Sequence, residues 1–413
     1  MHCRPFYFLF LLVISSGFVL GQSSIRINPE EAGFSTERLQ RYEEYLNTEI
    51  AEGNISGAVS LVYRKGMVAH RGAFGFSNLE EKTPMTEDKI FHIMSMTKPI
   101  ITVAFMMLYE EGHFKLSDKL SKYLPEFENM KVALSTSEGL QQVETEKADS
   151  PILISQVLTH TAGMSHGLSG TKLDNEIAFA LYYMPHPDIA GRVSKLAELP
   201  LVYHPGDRWH YSTAPDVLAL LIEKFSGQTV EEFLRERLFD PLGMDDTGYN
   251  IPANKLDRQA FYHTRKPEEK QVKVAEQSAP VTGNVVYGGS FGLMSTAEDY
   301  LKFCRMLLNG GKWDGRRYLS RKTLELMTLD HTGDRGDGSP GQGFGLGFGV
   351  TTDVAASGSL GSIGQYYWSG AYCTYFFIDP KEELIAILMT QTGPYSNKYG
   401  SEMRRFVYQA IDD

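Results

Sequence analysis

The chain has 3 cysteines in 413 residues. Cys3 falls in an N-terminal apolar segment, which leaves Cys304 and Cys373 for the body of the protein. Two thiols cannot make a disulfide scaffold. Cys304 lies in a helical pattern and Cys373 in a strand pattern, and both read as buried, unreactive side chains. No Cys/His cluster has zinc-ligand spacing, so neither a metal nor a cofactor is expected. There is no concentrated Lys/Arg run, and the net charge of −11 argues against a nucleic-acid partner. Internal repeats and low-complexity stretches are also missing. After the first residues no apolar run approaches the ~20 residues of a membrane span.

What is present is an ordinary globular composition, 42% hydrophobic and 22% charged, in a chain long enough for one large core or two lobes. Residues 1–21 read as a signal peptide. His2 and Arg4 give a weakly basic start, Phe6 to Ile14 is unbroken apolar sequence, and Gly21 suits cleavage before Gln22. This places the mature protein in a secreted or periplasmic setting, with an uncleaved anchor as the other reading.

Ser35 to Ile50 has the spacing of an amphipathic helix with Ser35 as N-cap. Ile55 to Tyr63 and Met67 to Phe76 alternate like two strands around an Arg64-Lys65-Gly66 turn. A helix is expected from Ser95 through Leu108, ending at Gly112. Residues from about 115 to 285 read as helices and long loops. Among them, Ala214 to Phe225 is closed by Gly227, and Thr229-Val230-Glu231-Glu232 is a capping box. Asp299 to Leu308 predicts another helix. Strands return at Gly370 to Ile378 and Leu384 to Thr390, and a helix from Asn397 to Ile411 closes the chain. Strands at both ends with helices between predict an α+β protein: one antiparallel sheet built from both termini, with an inserted helical lobe. The active site belongs in the cleft between them.

Three segments carry chemistry. In Ser95-Met96-Thr97-Lys98 the two side chains share one face of a helix start. A neutral lysine there can take the serine proton and make Ser95 a nucleophile without any histidine. The spacing recurs in Ser169-Gly170-Thr171-Lys172, but in a glycine-rich loop with no apolar helix after it. Tyr211, in Trp209-His210-Tyr211-Ser212-Thr213-Ala214, precedes a helix, where its phenol can face a cleft. Trp368-Ser369-Gly370-Ala371 places small residues at the start of a strand, where a free N–H can hold an oxyanion.

In this order the three elements resemble the serine β-lactamase and penicillin-binding-protein superfamily. The resemblance is to its class C β-lactamase-like branch, which also contains many carboxylesterases. Leu158-Thr159-His160-Thr161-Ala162-Gly163, Pro205-Gly206, Pro241-Leu242-Gly243-Met244, Gly292 to Asp299 and Gly343-Phe344-Gly345-Leu346-Gly347-Phe348 extend the match over about residues 30 to 410. The resemblance implies the β-lactamase/DD-peptidase fold in a single domain over 22–413, with an α/β lobe at about 30–115 and 286–413 and a helical lobe at about 116–285. It implies Ser95 as nucleophile, Lys98 as base and Tyr211 as proton relay. The N–H groups of Ser95 and Ala371 would form the oxyanion hole. Trp368, Ser369, Gly370, Thr213 and Tyr366 are the substrate-binding candidates, with Tyr366 and Tyr367 shaping an acyl pocket or packing between strands.

Two departures matter. The family's tyrosine motif usually ends in Asn, where this chain has Thr213. Its third motif is usually Lys-Thr-Gly, where this chain has Trp368-Ser369-Gly370, and an indole cannot replace the lysine that faces a substrate carboxylate. His331-Thr332-Gly333 is an alternative third motif in a loop. Gly163-Met164-Ser165-His166-Gly167 and Gly288-Gly289-Ser290-Phe291-Gly292 fit a competing Gly-x-Ser-x-Gly nucleophile elbow, which needs a strand before and a helix after. The expectation is a carboxylesterase acting on a small-molecule ester or amide through an acyl-enzyme. The alternatives are a β-lactamase or D-amino-acid peptidase, and a non-catalytic sensor that is acylated and does not turn over.

Overall fold

A computed structural model describes residues 27–413. The segment read as a signal peptide, with Cys3, lies outside the described residues. The predicted hairpin forms from β1 (Gly57–Arg64) and β2 (Met67–Asn78), with Arg64 opposite Met67. Lys65 and Gly66 make the two-residue turn with φ of 49° and 86°, the left-handed pair that matches strand twist. β3 (Thr83–Pro84) follows, and the C-terminal part supplies β4 (Gln342–Phe344), β5 (Gly349–Thr351), β6 (Tyr366–Gly370), β7 (Thr374–Asp379) and β8 (Leu384–Thr390). They form one eight-stranded sheet in the order β4-β5-β6-β7-β8-β1-β2-β3. Every pairing is antiparallel, and β8 joins β1 with Thr390 opposite Ala58. The sheet is therefore built from both ends of the chain, as the α+β reading expects.

Side-chain alternation splits the core across this sheet. Val59 and Leu61 of β1, Phe376 and Ile378 of β7, and Ile385 and Ile387 of β8 face one side. Ala58, Val62, Phe377, Ala386 and Leu388 face the other, against α1 (Thr36–Ala51) and α5 (Lys398–Gln409). Ser35 caps α1 by accepting from the Arg38 N–H. On the first side lie α2 (Thr97–Glu110), α3 (Ala214–Ser226) and α4 (Ala297–Leu308). Every residue of α2 from Thr97 to Leu108 is buried, so this helix runs through the middle of the protein. Gly227 ends α3 in the left-handed conformation, and the Thr229–Glu232 capping box follows.

Residues 115–285 add no strand to the sheet, although they contain two short ladders, Lys131–Ala133 with Thr145–Lys147 and His263–Thr264 with Lys273–Val274. Among the described residues, no helix is long and apolar enough to cross a membrane. One strand expectation is corrected. Gly370 to Ile378 is not a single strand: β6 ends at Gly370, Ala371-Tyr372-Cys373 turns, and β7 begins at Thr374. The turn uses Cys373 at φ 60°, a conformation that a residue with a Cβ rarely takes, so no turn residue marks it. Trp368-Ser369-Gly370 thus closes a strand and does not open one.

Candidate active site

Ser95 sits in a 3₁₀ turn, Met94–Met96, that leads into α2. The α-helix begins at Thr97, two residues later than the reading from Ser95. The tighter turn suits the pair, because side chains at i and i+3 nearly eclipse there. Met94 has φ 48° and reverses the chain after the short strand Phe91–His92. Lys98 is 1% exposed, and its Nζ donates to Ser95 Oγ at 3.2 Å and to the Ser290 carbonyl at 2.7 Å. Burial pushes the lysine down to about 7, with the Asp216 carboxylate pulling the other way. A large part of the amine is therefore uncharged near neutrality, the state a base needs.

Tyr211 completes the group. Its ring lies over Lys98 Nζ, 4.6 Å from the centroid. Burial raises its phenol, opposed by the polar groups of Ser95 and Trp368 beside it. Four aromatic rings hold it: His166 stacked at 4.9 Å and 12°, His160 at 5.0 Å, Trp368 at 5.6 Å and Trp209 stacked at 6.1 Å. His160 Nδ1 shares a 2.9 Å hydrogen bond with Ser212 Oγ and so ties the Thr159–Thr161 segment to the tyrosine loop. Burial, and then the nearby Lys98, keep both His160 and His166 well below the usual histidine range.

The end of β6 abuts the serine turn. A Cβ on Gly370 would come within 2.4 Å of the Ile93 carbonyl oxygen, so only glycine allows this approach. Thr374 Oγ1 donates to the same carbonyl at 3.4 Å. Neither Ser95 nor Ala371 gives its N–H to a backbone carbonyl among the described residues, which leaves both donors unspent. Ser369 Oγ lies 3.1 Å from the Tyr395 hydroxyl at the exposed edge.

The structure thus brings Ser95, Lys98, Tyr211, Trp368 and Gly370 together. It does not bring Tyr366 there. That ring is 1% exposed and packs edge-on against Phe348 at 5.2 Å, deeper in the core. Tyr367 projects to the opposite face, where its hydroxyl donates to Gln342 at 2.9 Å and Arg404 covers its ring. Tyr366 packs in the core, whereas Tyr367, besides these contacts, borders a small cavity with Trp209, Phe344 and Trp368. Thr213 is 1% exposed, with its Oγ1 unpartnered and its carbonyl accepting from Ser290 Oγ at 3.2 Å.

Neither Gly-x-Ser-x-Gly segment forms an elbow: Ser165 and Ser290 are buried in loops with no strand-to-helix junction. His331 is also in a loop, held by the Leu326 carbonyl at 2.8 Å. Ser290, Asp216, His166 and Tyr395 are site neighbours that the motif reading missed. All four are distant from Ser95 in sequence; His166 and Ser290 stand in the Gly-x-Ser-x-Gly segments, which point to a different site, and no local pattern marks Asp216 or Tyr395.

A family model for beta-lactamase matches residues 39–410. The chain belongs to the beta-lactamase family. It is 36% identical to an uncharacterized protein of Mycobacterium tuberculosis, over 83% of this chain and 87% of that one. It is also 28% identical to esterase EstB of Burkholderia gladioli, over 86% of this chain and 90% of the esterase. Among solved structures it resembles EstCE1, described as a hydrolase with promiscuous acyltransferase activity. The TM-score is 0.76 at 25% identity, covering 90% of this chain and 99% of that one. Homologues in this beta-lactamase family thus include esterases, and the family places the chain among the serine hydrolases.

Proposed function

We propose that this beta-lactamase family protein is a serine carboxylesterase for small esters, acting outside the cytoplasm. The second part follows from the apolar N-terminal sequence. The observation that carries the first is a lysine amine, driven toward neutrality by burial, within hydrogen-bond distance of a serine hydroxyl at the head of a buried helix. Lys98 Nζ takes the Ser95 proton as Oγ bonds to the ester carbonyl carbon. The carbonyl oxygen becomes an oxyanion facing the unspent N–H groups of Ser95 and Ala371. The carbon–alkoxide bond then breaks, and the proton held by Lys98 passes through Tyr211 to the departing alcohol. Water attacks the acyl carbon and gives its proton to the same pair. The Ser95 Oγ–carbon bond breaks, Oγ recovers a proton, and the acid leaves.

Ester preference is supported by Trp368, which stands where the resemblance puts a carboxylate-binding lysine, and by the esterase among the relatives. Turnover of a short-chain nitrophenyl ester and a chromogenic cephalosporin, measured side by side, tests it. The expected result is a kcat/KM at least about tenfold higher for the ester, roughly 1.4 kcal/mol of transition-state preference. Faster cephalosporin turnover would overturn it in favour of a β-lactamase. Thr213, whose buried hydroxyl has no partner where the family has Asn, favours one further reading, an acylated sensor. A stable adduct that forms with both compounds and never turns over would establish it.

A further inference from the structure

The segment Gly288-Gly289-Ser290 is not a nucleophile elbow, yet its geometry is closely constrained. A Cβ on Gly289 would lie 1.9 Å from the Pro215 carbonyl oxygen. A Cβ on Gly288 would lie 2.9 Å from Arg192 Nη1 and 3.1 Å from Asp216 Oδ1. The two glycines let the backbone slip between the start of α3 and the helix Ile189–Ala197 that carries Arg192. There the Ser290 N–H donates to Asp216 Oδ1 at 2.7 Å, while the Ser290 carbonyl receives Lys98 Nζ at 2.7 Å. Asp216 is 1% exposed, with Arg192 at 3.5 Å as its counter-ion. Removing a carboxylate from water costs several kcal/mol even when it is paired. Its place in the first turn of α3 recovers part of that through the helix dipole.

We infer that Asp216 is a positioning residue for Lys98. It fixes the Ser290 backbone, holding its N–H with the carboxylate so that the carbonyl of the same residue presents the acceptor that orients the amine. Arg192 and the two glycines fix Asp216 in turn. The inference rests on the proposed role of Lys98 as base. The charged and titratable groups around that amine are Asp216, joined to it through the Ser290 backbone, His160 and His166 from the loop before the Lys172–Ala178 helix, and the Tyr211 ring; Arg192 and the Tyr182 phenol lie one step further out, against Asp216. Both histidines are held neutral by burial, so Asp216 and Arg192 are the two opposed charges.

The test is the pH profile of kcat/KM in the full chain. Asp216→Asn keeps an acceptor for the Ser290 N–H but removes the negative charge that favours protonated Lys98. Its acid limb moves down by about one pH unit. Arg192→Met removes the opposing charge, and its limb moves up. Each profile is normalised to its own plateau and taken on protein with a cooperative melt. If one variant does not fold, the sign of the other carries the test. Profiles that lose amplitude without moving, or that move in the same direction, would overturn the inference. Lys98→Met run alongside separates the two levels. Full activity there rejects the proposed base, whereas lost activity with unmoved Asp216→Asn and Arg192→Met profiles rejects only the positioning role.

Discussion

Two Ser-x-x-Lys segments occur in this protein, and the chain treats them in opposite ways. Lys98 is buried within α2, and its amine faces Ser95 Oγ and one carbonyl. Lys172 is exposed, and Ser169 Oγ donates to Asp174 Oδ2 at 2.6 Å, which engages its proton in a turn. A helix follows the second segment as well, Lys172–Ala178, contrary to the expectation of loop alone. The spacing and the helix are thus common to both, and the difference lies in burial. A lysine in water stays charged, whereas a lysine packed among the apolar side chains of α2 loses much of its preference for the proton.

Replacing each residue in turn sharpens that contrast. The largest effect is expected at the serines. Ser95→Ala should abolish labelling by an activated phosphonate, and Ser169→Ala should label at the unmodified rate. Labelling that survives in Ser95→Ala but is lost in Ser165→Ala would move the nucleophile to the competing Gly-x-Ser-x-Gly segment. The lysines come next. Lys98→Met should lower kcat by about 10²–10⁴, the range of a positioned general base, and Lys172→Met should leave it within about twofold. Equal losses would mean that burial does not distinguish the two segments.

The smallest effect is graded. Lys98 must be neutral to accept a proton, and burial brings it down to about 7. The kcat/KM profile should therefore rise with pH and level off above about 7, losing about tenfold for each unit further below. A profile flat down to pH 5 would show that no group with that titration limits the rate.

Much of this arrangement was legible in order along the chain. The Lys65-Gly66 turn, the Ser35 and Thr229 caps and the Gly227 stop are local, and each forms where its residues demand. Ser95, Lys98 and Tyr211 were singled out by the order of three motifs and the resemblance that order carries, since spacing and a following helix are shared by Ser169 and Lys172. The rest depends on contacts with no local trace. The β6–β7 turn was hidden because Ala371-Tyr372-Cys373 contains no glycine, proline or asparagine and continues a β-rich run. Tyr366 was misplaced because the same alternation that aims Trp368 at Tyr211 also aims Tyr366 at Phe348, and only depth separates them. Asp216 reads as an ordinary helix-start acid until Ser290 arrives from more than seventy residues away.

The contact between Gly370 and the Ile93 carbonyl has a consequence for how such a protein can change over time. The strand end and the serine turn are aligned backbone against backbone, with the small Thr374 side chain bridging them at the Ile93 carbonyl. Trp368, Thr213 and Tyr395 take no part in that contact, so substituting them leaves its two main-chain partners in place. An inherited lineage can explore new occupants for its cleft while passing on one unaltered reactive frame.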